Sequence, residues 1–540
     1  MSSDPAGPPA PPAGPAPAEP PRAARALAAL VGPLDRLFDR LYGSRWNPLH
    51  QSGNLAVLFF GVLLATGLYL FLFYKIADPY ASVVRIENDI FLGSWVRSLH
   101  RLSADLAMVA LLFHVLRKLL QGHTHGPRVL AWTSGVVLLG TVLLSGWTGL
   151  VMVWDVQGLR VAQEGARLID LAPILSQPLS RSFDGERAVP SSFFFMNLFL
   201  HVALPLGLAG GLWIHVSRLA RPAWLPPPAI RRWTLGALAV AAALVPAGLA
   251  PRADLLALPG EVPTDLLYAF WLPAAAKLPP LAHLGLWVAT FALLLAMPRL
   301  WRPRRGIRPS RVDPDRCTGC ESCFQDCPYE AIAMVPRSGG TARSATVARV
   351  DPARCVGCGI CAASCAPMGV GPAGWTGRDQ LAEARGWLQA LAPSGREVLV
   401  LGCRNGLAGR PELLAAAGVF VRPTACAGSV HTSVVELLLR AGVGGVYLLT
   451  CPPRNCLYRE GPKWLAARLL DGRAAELQPR VDRRRIALGS FSVAEAGAAR
   501  ADVAALLARV RALAPEAEAN LDLVAACERM AREEAEAIVG

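Results

Sequence analysis

Charge is scarce in this chain. Asp, Glu, Lys and Arg make up only 17% of its 540 residues, against 53% hydrophobic residues and a mean hydropathy of +0.36. Soluble domains carry about 25% charged residues, so a purely soluble enzyme and a disordered protein are both excluded. Cysteine is absent from the first 316 positions, and twelve of the thirteen lie between Cys317 and Cys456. An odd, clustered set argues for metal or redox chemistry in a reducing compartment, not for a disulfide framework. Acid is short as well, with 40 Asp and Glu against 54 Lys and Arg, a net charge of +14. The basic residues sit beside apolar runs, which is membrane topology, so no nucleic-acid partner is expected. No P-loop or Gly-rich dinucleotide fingerprint occurs, so a pyridine nucleotide site would need a partner.

Residues 1–22 are Pro/Ala-rich without an apolar h-region, which predicts a disordered tail and no cleavable signal peptide. Leu27, Leu30, Leu34, Leu37, Phe38 and Leu41 then recur at helical spacing between arginines, an amphipathic helix suited to a membrane surface. Leu55–Tyr74 and Val129–Val153 hold no charge and are long enough to cross a bilayer. Further spans are expected near 98–119, 193–216, 233–250 and 281–297. Six spans put both ends of the membrane domain on one side. The connections on that side hold twice as many Lys and Arg as the opposite loops. The positive-inside rule then places the N-terminus and everything after residue 300 in the cytoplasm, with the bundle in the cytoplasmic (inner) membrane. Residues 310–370 form a cysteine-dense repeat. Residues 396–513 alternate short apolar strands (VLVLG, VFVRP, VYLLT) with helical patterns, as in βαβ units of an open parallel sheet, and 514–540 reads as a terminal helix.

His100 and His114 share the second expected span, His201 and His215 the fourth, and both pairs are 14 residues apart. Fourteen residues turn through about 1,400°, about 40° short of four turns, and rise about 21 Å. Each pair therefore lies on one helix face, near opposite sides of the membrane. Two such helices facing each other offer two stacked bis-imidazole sites. A lone intramembrane histidine is ordinarily a hydrogen-bonded packing residue, but a duplicated spacing of 14 is hard to explain as packing. Imidazole is a standard axial ligand of haem iron.

Over residues 25–298 this pattern resembles the cytochrome b family of quinol-oxidising complexes. The resemblance implies a diheme four-helix domain over 23–228, followed by two further helices over 229–300. It implies two b-type haems, one held by His100 and His201 and one by His114 and His215. Gly53 and Gly67, again 14 apart, match glycines that let the porphyrin approach. Arg97 and Arg117 match arginines that bind haem propionates; simple positive flanking is the rival for Arg117. TGLVMVWDVQG (148–158) resembles a segment near the outer quinone site. The family's Pro-Glu-Trp-Tyr motif aligns with Thr264, Asp265, Leu266 and Leu267, so only a carboxylate is retained. Asp265 is thus the candidate catalytic acid of a quinone site, or else an ordinary loop acid. The family also implies a homodimer.

CTGCESCFQDCP (317–328) and CVGCGICAASCAP (355–367) both read C-x2-C-x2-C-x3-C. This is the two-cluster ferredoxin pattern, in which the fourth cysteine serves the other cluster. Cys317, Cys320, Cys323 and Cys365 would hold one 4Fe-4S cluster, and Cys355, Cys358, Cys361 and Cys327 the second. Zinc is the rival, and two complete repeats weigh against it. Farther on, Cys403, Cys426 and Cys451 each close or follow a strand, with Cys456 five residues beyond. Chemistry gathers at the carboxyl ends of parallel strands, so they either converge on a metal centre or are buried apolar cysteines. GCRNGLAG, RPTACAGSV and TCPPRNCLYREG resemble the delta (iron-sulfur) subunit of methyl-viologen-reducing hydrogenases. That resemblance implies a 2Fe-2S cluster and electron exchange with a heterodisulfide-reductase-like flavoprotein. The family's paired cysteines in the first motif are reduced here to Cys403. Cys527 has no partner. His50 is either a proton relay to an inner quinone site or a plain interfacial histidine.

The expected fold is a transmembrane helical bundle, then a ferredoxin-like α+β domain, then an α/β open parallel-sheet domain. The expected function is single-electron transfer between a cytoplasmic flavoprotein, hydrogenase or heterodisulfide-reductase-like enzyme and membrane quinone. The alternative is an anchoring subunit of such a complex with no quinone chemistry. The sequence leaves the direction of flow open.

Overall fold

The computed structural model describes residues 22–172, 177–183, 189–220, 223–256, 262, 265–300, 308–338 and 344–513. The expected N-terminal tail over 1–21, the terminal helix over 514–540, Cys527 and Thr264 lie outside the described residues. The chain divides into two compact units, Gln51–Arg302 and Met1–His50 with Pro303–Gly540.

After α1 (Arg22–Tyr42), which belongs to the other unit, Gln51–Arg302 is helical: α2 (Ser52–Phe73), α3 (Pro79–Asn88), α4 (Gly93–Leu120), α5 (Val129–Val153), α6 (Val156–Ile169), α7 (Ser191–Ile214), α8 (Pro228–Leu244), α9 (Leu272–Ala275) and α10 (Pro280–Leu300). Among the described residues, α2, α4, α5, the α7 segment Ser191–Ser217 and α10 are long and apolar enough to span a membrane. The sequence predicted a sixth span over 233–250. There α8 has only 17 residues, about 26 Å at 1.5 Å per residue, short of the ~30 Å hydrocarbon core. Pro246 explains the early end, since residues before a proline leave the helical region. Even so, α8 joins the two faces of the bundle. Before its start, the carbonyl of Leu225 accepts from Asn54 Nδ2 at the beginning of α2 (3.1 Å). Near its end, Ala239 accepts from Trp95 Nε1 at the beginning of α4 (2.9 Å). The bundle therefore begins and ends on the same face, called here the first face. On the second face α5 stops at Trp154, which is left-handed at φ 56°. Asp155 then caps α6 by accepting from Gly158 N (2.9 Å), so the WDVQG turn is sharp.

The other unit contains β1 (Ser310–Val312), α11 (Ser322–Gln325), β2 (Ile332–Pro336), β3 (Thr346–Val350), α12 (Ile360–Ala363) and β4 (Val370–Pro372). β1 pairs with β4 and β2 with β3, both antiparallel, so two short ribbons frame two cysteine loops. The duplication shows in the sequence as RVDPDRC and RVDPARC at the head of each loop. There follow α13 (Gly377–Leu391), β5 (Val398–Cys403), β6 (Val419–Thr424), α14 (Thr432–Arg440), β7 (Gly445–Thr450), α15 (Gly461–Leu470), β8 (Ile486–Ser490) and α16 (Ala496–Ala512). The sheet is wholly parallel in the order β6-β5-β7-β8. Its central strands β5 and β7 are buried at every position, as continuous apolar runs covered by helices on both faces should be. The segment after α1 joins this unit through Ser44 N, which donates to Glu495 Oε1 (2.8 Å). The amphipathic helix leaves Leu34, Leu37 and Leu41 exposed.

Candidate functional site

In the bundle every expected histidine meets a glycine on a facing helix. A Cβ added at Gly67 would stand 3.3 Å from His100 Cε1, and one at Gly53 2.6 Å from His114 Nδ1. Two further glycines, on α5, do the same. A Cβ at Gly149 would lie 2.9 Å from His201 Cε1, and one at Gly135 3.4 Å from His215 Cε1. The sequence reading missed Gly135 and Gly149, although they too are 14 apart. Hydroxyls fix the rings. Thr66 Oγ1 lies 2.8 Å from His100 Nδ1, Ser134 Oγ 2.9 Å from His215 Nδ1 and Thr148 Oγ1 3.1 Å from His201 Nδ1. Each of these hydroxyls also donates to a carbonyl of its own helix. His201 Nδ1 in addition reaches the Ser145 carbonyl (3.0 Å), which can only accept. The proton therefore sits on Nδ1 of that ring and Nε2 keeps its lone pair, the tautomer a metal ligand needs.

His100 and His201 face each other on the second face, ring centres 6.4 Å apart. An ion about 2 Å from each of two opposed imidazole nitrogens separates the ring centres by roughly 6 Å. His114 and His215 are electrostatic neighbours on the first face. The four rings thus form two pairs, and the separation within the His100–His201 pair fits an iron held between them. Arg97, three residues before His100, is held by Glu87 Oε2 (2.8 Å) and by the carbonyls of Ala247 (2.7 Å) and Gly248 (2.8 Å). Arg117 lies in the last turn of α4, and its charge bears on His114.

Asp265 is buried on the second face. It pairs with Arg101, the residue after His100, and accepts from Leu267 N (2.9 Å) and Tyr268 N (2.6 Å). Burial alone would raise its carboxyl, but Arg101 and the two backbone donors outweigh burial and hold it below the usual carboxylate range. Arg101 also meets Asp105 at 3.4 Å, so two acids share one guanidinium. Beside them Trp147 packs edge to face on Trp287 of α10 and at a tilt against Trp271. His283 accepts from Trp287 Nε1 (3.1 Å). His50 is buried between Asp35 (3.3 Å) and Asp39 (3.5 Å).

In the cysteine repeat one cavity of about 350 Å³, counting solvent at its mouth, is lined by Cys317, Cys320, Cys323 and Cys365. That is the expected set for the first cluster, including the cysteine borrowed from the second motif. Cys358 has Cys327 and Cys355 as neighbours, and Cys361 has Cys358 and Cys355. Burial pushes the Cys323 and Cys358 thiols up to about 12. At the strand ends, Cys426 and Cys451 both hydrogen-bond to Cys403, which lowers the Cys403 thiol and raises the other two. A Cβ at Gly461 would lie 2.8 Å from Cys426 Sγ and 3.7 Å from Cys456 Sγ, so Cys456 joins the group. Among the described residues no three His, Cys, Asp or Glu side chains converge on a single-ion site. Thiolates of an iron–sulfur cluster each bind a different iron and stand farther apart. Cys358 also counts Cys456 among its neighbours, and Cys426 counts Cys358, so the second ferredoxin set adjoins the strand-end set.

Family models match three consecutive stretches. Residues 38–221 match Cytochrome b/b6/petB, 305–369 the 4Fe-4S dicluster domain, and 404–514 the methyl-viologen-reducing hydrogenase delta subunit. The menaquinol:cytochrome c reductase cytochrome b subunit of Geobacillus thermodenitrificans is 25% identical over 186 residues, 32% of this chain and 83% of that protein. Cytochrome b6 of Synechocystis is 30% identical over 180 residues, 32% of this chain and 81% of that protein. A hyperthermophilic respiratory complex III chain superposes at a TM-score of 0.38 and 20% identity, over 47% of this chain and 75% of that one; so distant a likeness places no residue. The bundle implies b-type haem and the dicluster domain 4Fe-4S clusters, in a multi-pass membrane protein of the electron-transfer kind. Through its membrane bundle, the chain belongs to the cytochrome b family.

Proposed function

We propose that this chain carries single electrons between a soluble redox enzyme and membrane quinone, through a strand-end iron–sulfur centre, two 4Fe-4S clusters and two b-type haems. The observation that carries the reading is the matched set of four histidines and four glycines, two pairs on each face of the bundle. The same chain holds three adjoining cysteine groups. The haems would be held by His100 with His201 and by His114 with His215, with Arg97 and Arg117 near the propionates. The clusters would be held by the two ferredoxin sets. Cys403, Cys426, Cys451 and Cys456 would hold a 2Fe-2S cluster that meets the partner, a flavoprotein or hydrogenase of the heterodisulfide-reductase kind, as the delta-subunit stretch supports.

Lys and Arg bias supports a cytoplasmic first face. A menaquinol reductase among the relatives supports a quinone as the membrane substrate. We place that quinone on the second face, beside Asp265. There the Arg101 pair makes Asp265 a weak base, so proton exchange needs the pair to open. Electrons crossing between the two haem sites would move charge through the membrane potential, worth about 2.3 kcal/mol per charge at 100 mV.

The locked state of Asp265 favours the second reading, an anchoring subunit without a quinone site. Quinone-dependent haem oxidation in the purified complex separates the two. The electron-transfer reading expects turnover that slows in Asp265→Asn, with haem reduction by the soluble partner intact. Turnover that is absent in the wild type would leave the anchoring role.

A further inference from the structure

Arg468, on α15, has no exposed surface. Its Nη1 donates to Ser364 Oγ (3.2 Å) and meets Asp326 Oδ2 (3.4 Å), and its Nη2 donates to the Gly428 carbonyl (2.7 Å). Each partner sits in a cysteine loop. Asp326 precedes Cys327, Ser364 precedes Cys365, and Gly428 is two residues beyond Cys426. One guanidinium therefore ties together loops from all three cysteine groups. The junction is tight elsewhere too. Trp375 Nε1 donates to Ser429 Oγ (2.8 Å), and a Cβ at Gly359 would meet Ser429 Cβ at 2.9 Å. His431 Nδ1 accepts a hydrogen bond from Ser433 N (3.1 Å), so its Nε2 carries the hydrogen and donates to the Cys365 carbonyl (3.1 Å).

Charge at this junction does not balance. Asp326 is shared with Arg473, 2.7 Å away, so two guanidiniums face one carboxylate. Arg468 Nε is buried with no hydrogen-bond partner among the described residues. A buried cation in excess is expensive unless a further negative charge stands near it. Cys426 and Cys361 are its electrostatic neighbours. An iron–sulfur centre on four thiolates is anionic and becomes more so with each electron it takes up.

We propose that Arg468 is a shared electrostatic positioning residue, whose buried charge favours the reduced forms of the centre at Cys426 and the cluster at Cys361 while it holds their loops in register. This rests on the reading that clusters fill the cysteine sets. The test is a redox titration of the full-chain complex followed by electron paramagnetic resonance, with iron and sulfide assayed in every sample. Arg468→Gln keeps hydrogen-bond donors and removes the charge. It should make reduction at least tenfold less favourable at one of these centres, a fall of about 59 mV for one electron. Arg468→Lys should stay near the wild type, and Asp326→Asn should shift the potential the opposite way. A purely structural junction would move neither potential while cluster content held. Wild-type potentials in Arg468→Gln with full iron would overturn the proposal. If that variant does not fold, Asp326→Asn decides: a rise supports the proposal and no shift overturns it. Wild-type protein without clusters would instead refute the reading beneath it.

Discussion

In the bundle, His100 and His114 stand 14 residues apart on one straight helix, and each meets its own glycine and its own facing histidine. In the cysteine module, Cys403, Cys426 and Cys451 come from three strand ends, the last two both hydrogen-bonded to Cys403, while Arg468 spans loops of three groups. Helix geometry separates the bundle sites by about 21 Å along the axis, so each can be lost alone. Strand ends in one sheet bring their residues together, so the module should respond as a whole. The contrast is between independent and coupled sites, and it can be broken at either end.

The largest effect is expected in the bundle. Gly149→Val and His201→Ala should each remove one haem and leave the other, halving haem per chain in the reduced spectrum. Gly53→Val and His114→Ala should remove the other half. A Cβ at Gly53 or Gly149 already falls within 3 Å of an imidazole, closer than side-chain carbons approach, so the ring must move. Gly61 has nothing within 4 Å of its Cβ position, and Gly61→Ala should leave both haems in place. Loss of both haems from a folded Gly149→Val protein would abolish the independence of the two sites.

A smaller change is expected in the module. Replacing Cys403, Cys426, Cys451 and Cys456 together should remove the strand-end centre and stop electron exchange with the soluble partner. Iron and sulfide for two 4Fe-4S clusters should remain, with the potential of the adjoining cluster shifted because Cys358 neighbours Cys456 and Cys426. Full iron in that variant would mean these cysteines only pack. An unshifted neighbouring cluster would make the module as independent as the bundle.

Most of the bundle site was legible because a helix converts spacing into position. The full signal is richer than the histidines. Ser52-Gly53 and Thr66-Gly67 on α2, and Ser134-Gly135 and Thr148-Gly149 on α5, repeat a hydroxyl–glycine pair at the same interval of 14. Three of those hydroxyls hold imidazole Nδ1 atoms. The short α8 was legible only through Pro246, which the apolar pattern outweighed. The cavity at Cys317, Cys320, Cys323 and Cys365 matches the motif, since its ligand spacing is local apart from one crossover. Arg468 left no signal, because nothing in a single arginine between Ala467 and Leu469 announces burial against Asp326, 142 residues away. The partner of Asp265 was equally hidden, since Arg101 reads as an interruption of an apolar span and not as its counter-ion.

The smallest predicted effect concerns the segment after α1. Glu495 accepts from Ser44 N (2.8 Å) and from Ser492 N (2.8 Å), within a capping box that leads into α16. Burial would raise this carboxyl, but the serine donors outweigh burial and hold it below its ordinary value of 4.5. A depressed folded-state pKa stabilises the fold fully above the unfolded value and loses that contribution as pH falls through the folded one. The contact should therefore be intact at neutral pH and weaken only on acidification below about 4.5. Glu495→Gln removes the charge but keeps an acceptor, so the variant should lose a little thermal stability at pH 7 and show a shallower acid limb than the wild type. Proteolysis between residues 40 and 50 should also speed up in acid for the wild type, and be faster at every pH for the variant. Haem and cluster content should stay unchanged, since Glu495 touches neither set of ligands. Identical acid limbs in the two proteins would mean that Ser44 and Glu495 hold nothing in solution.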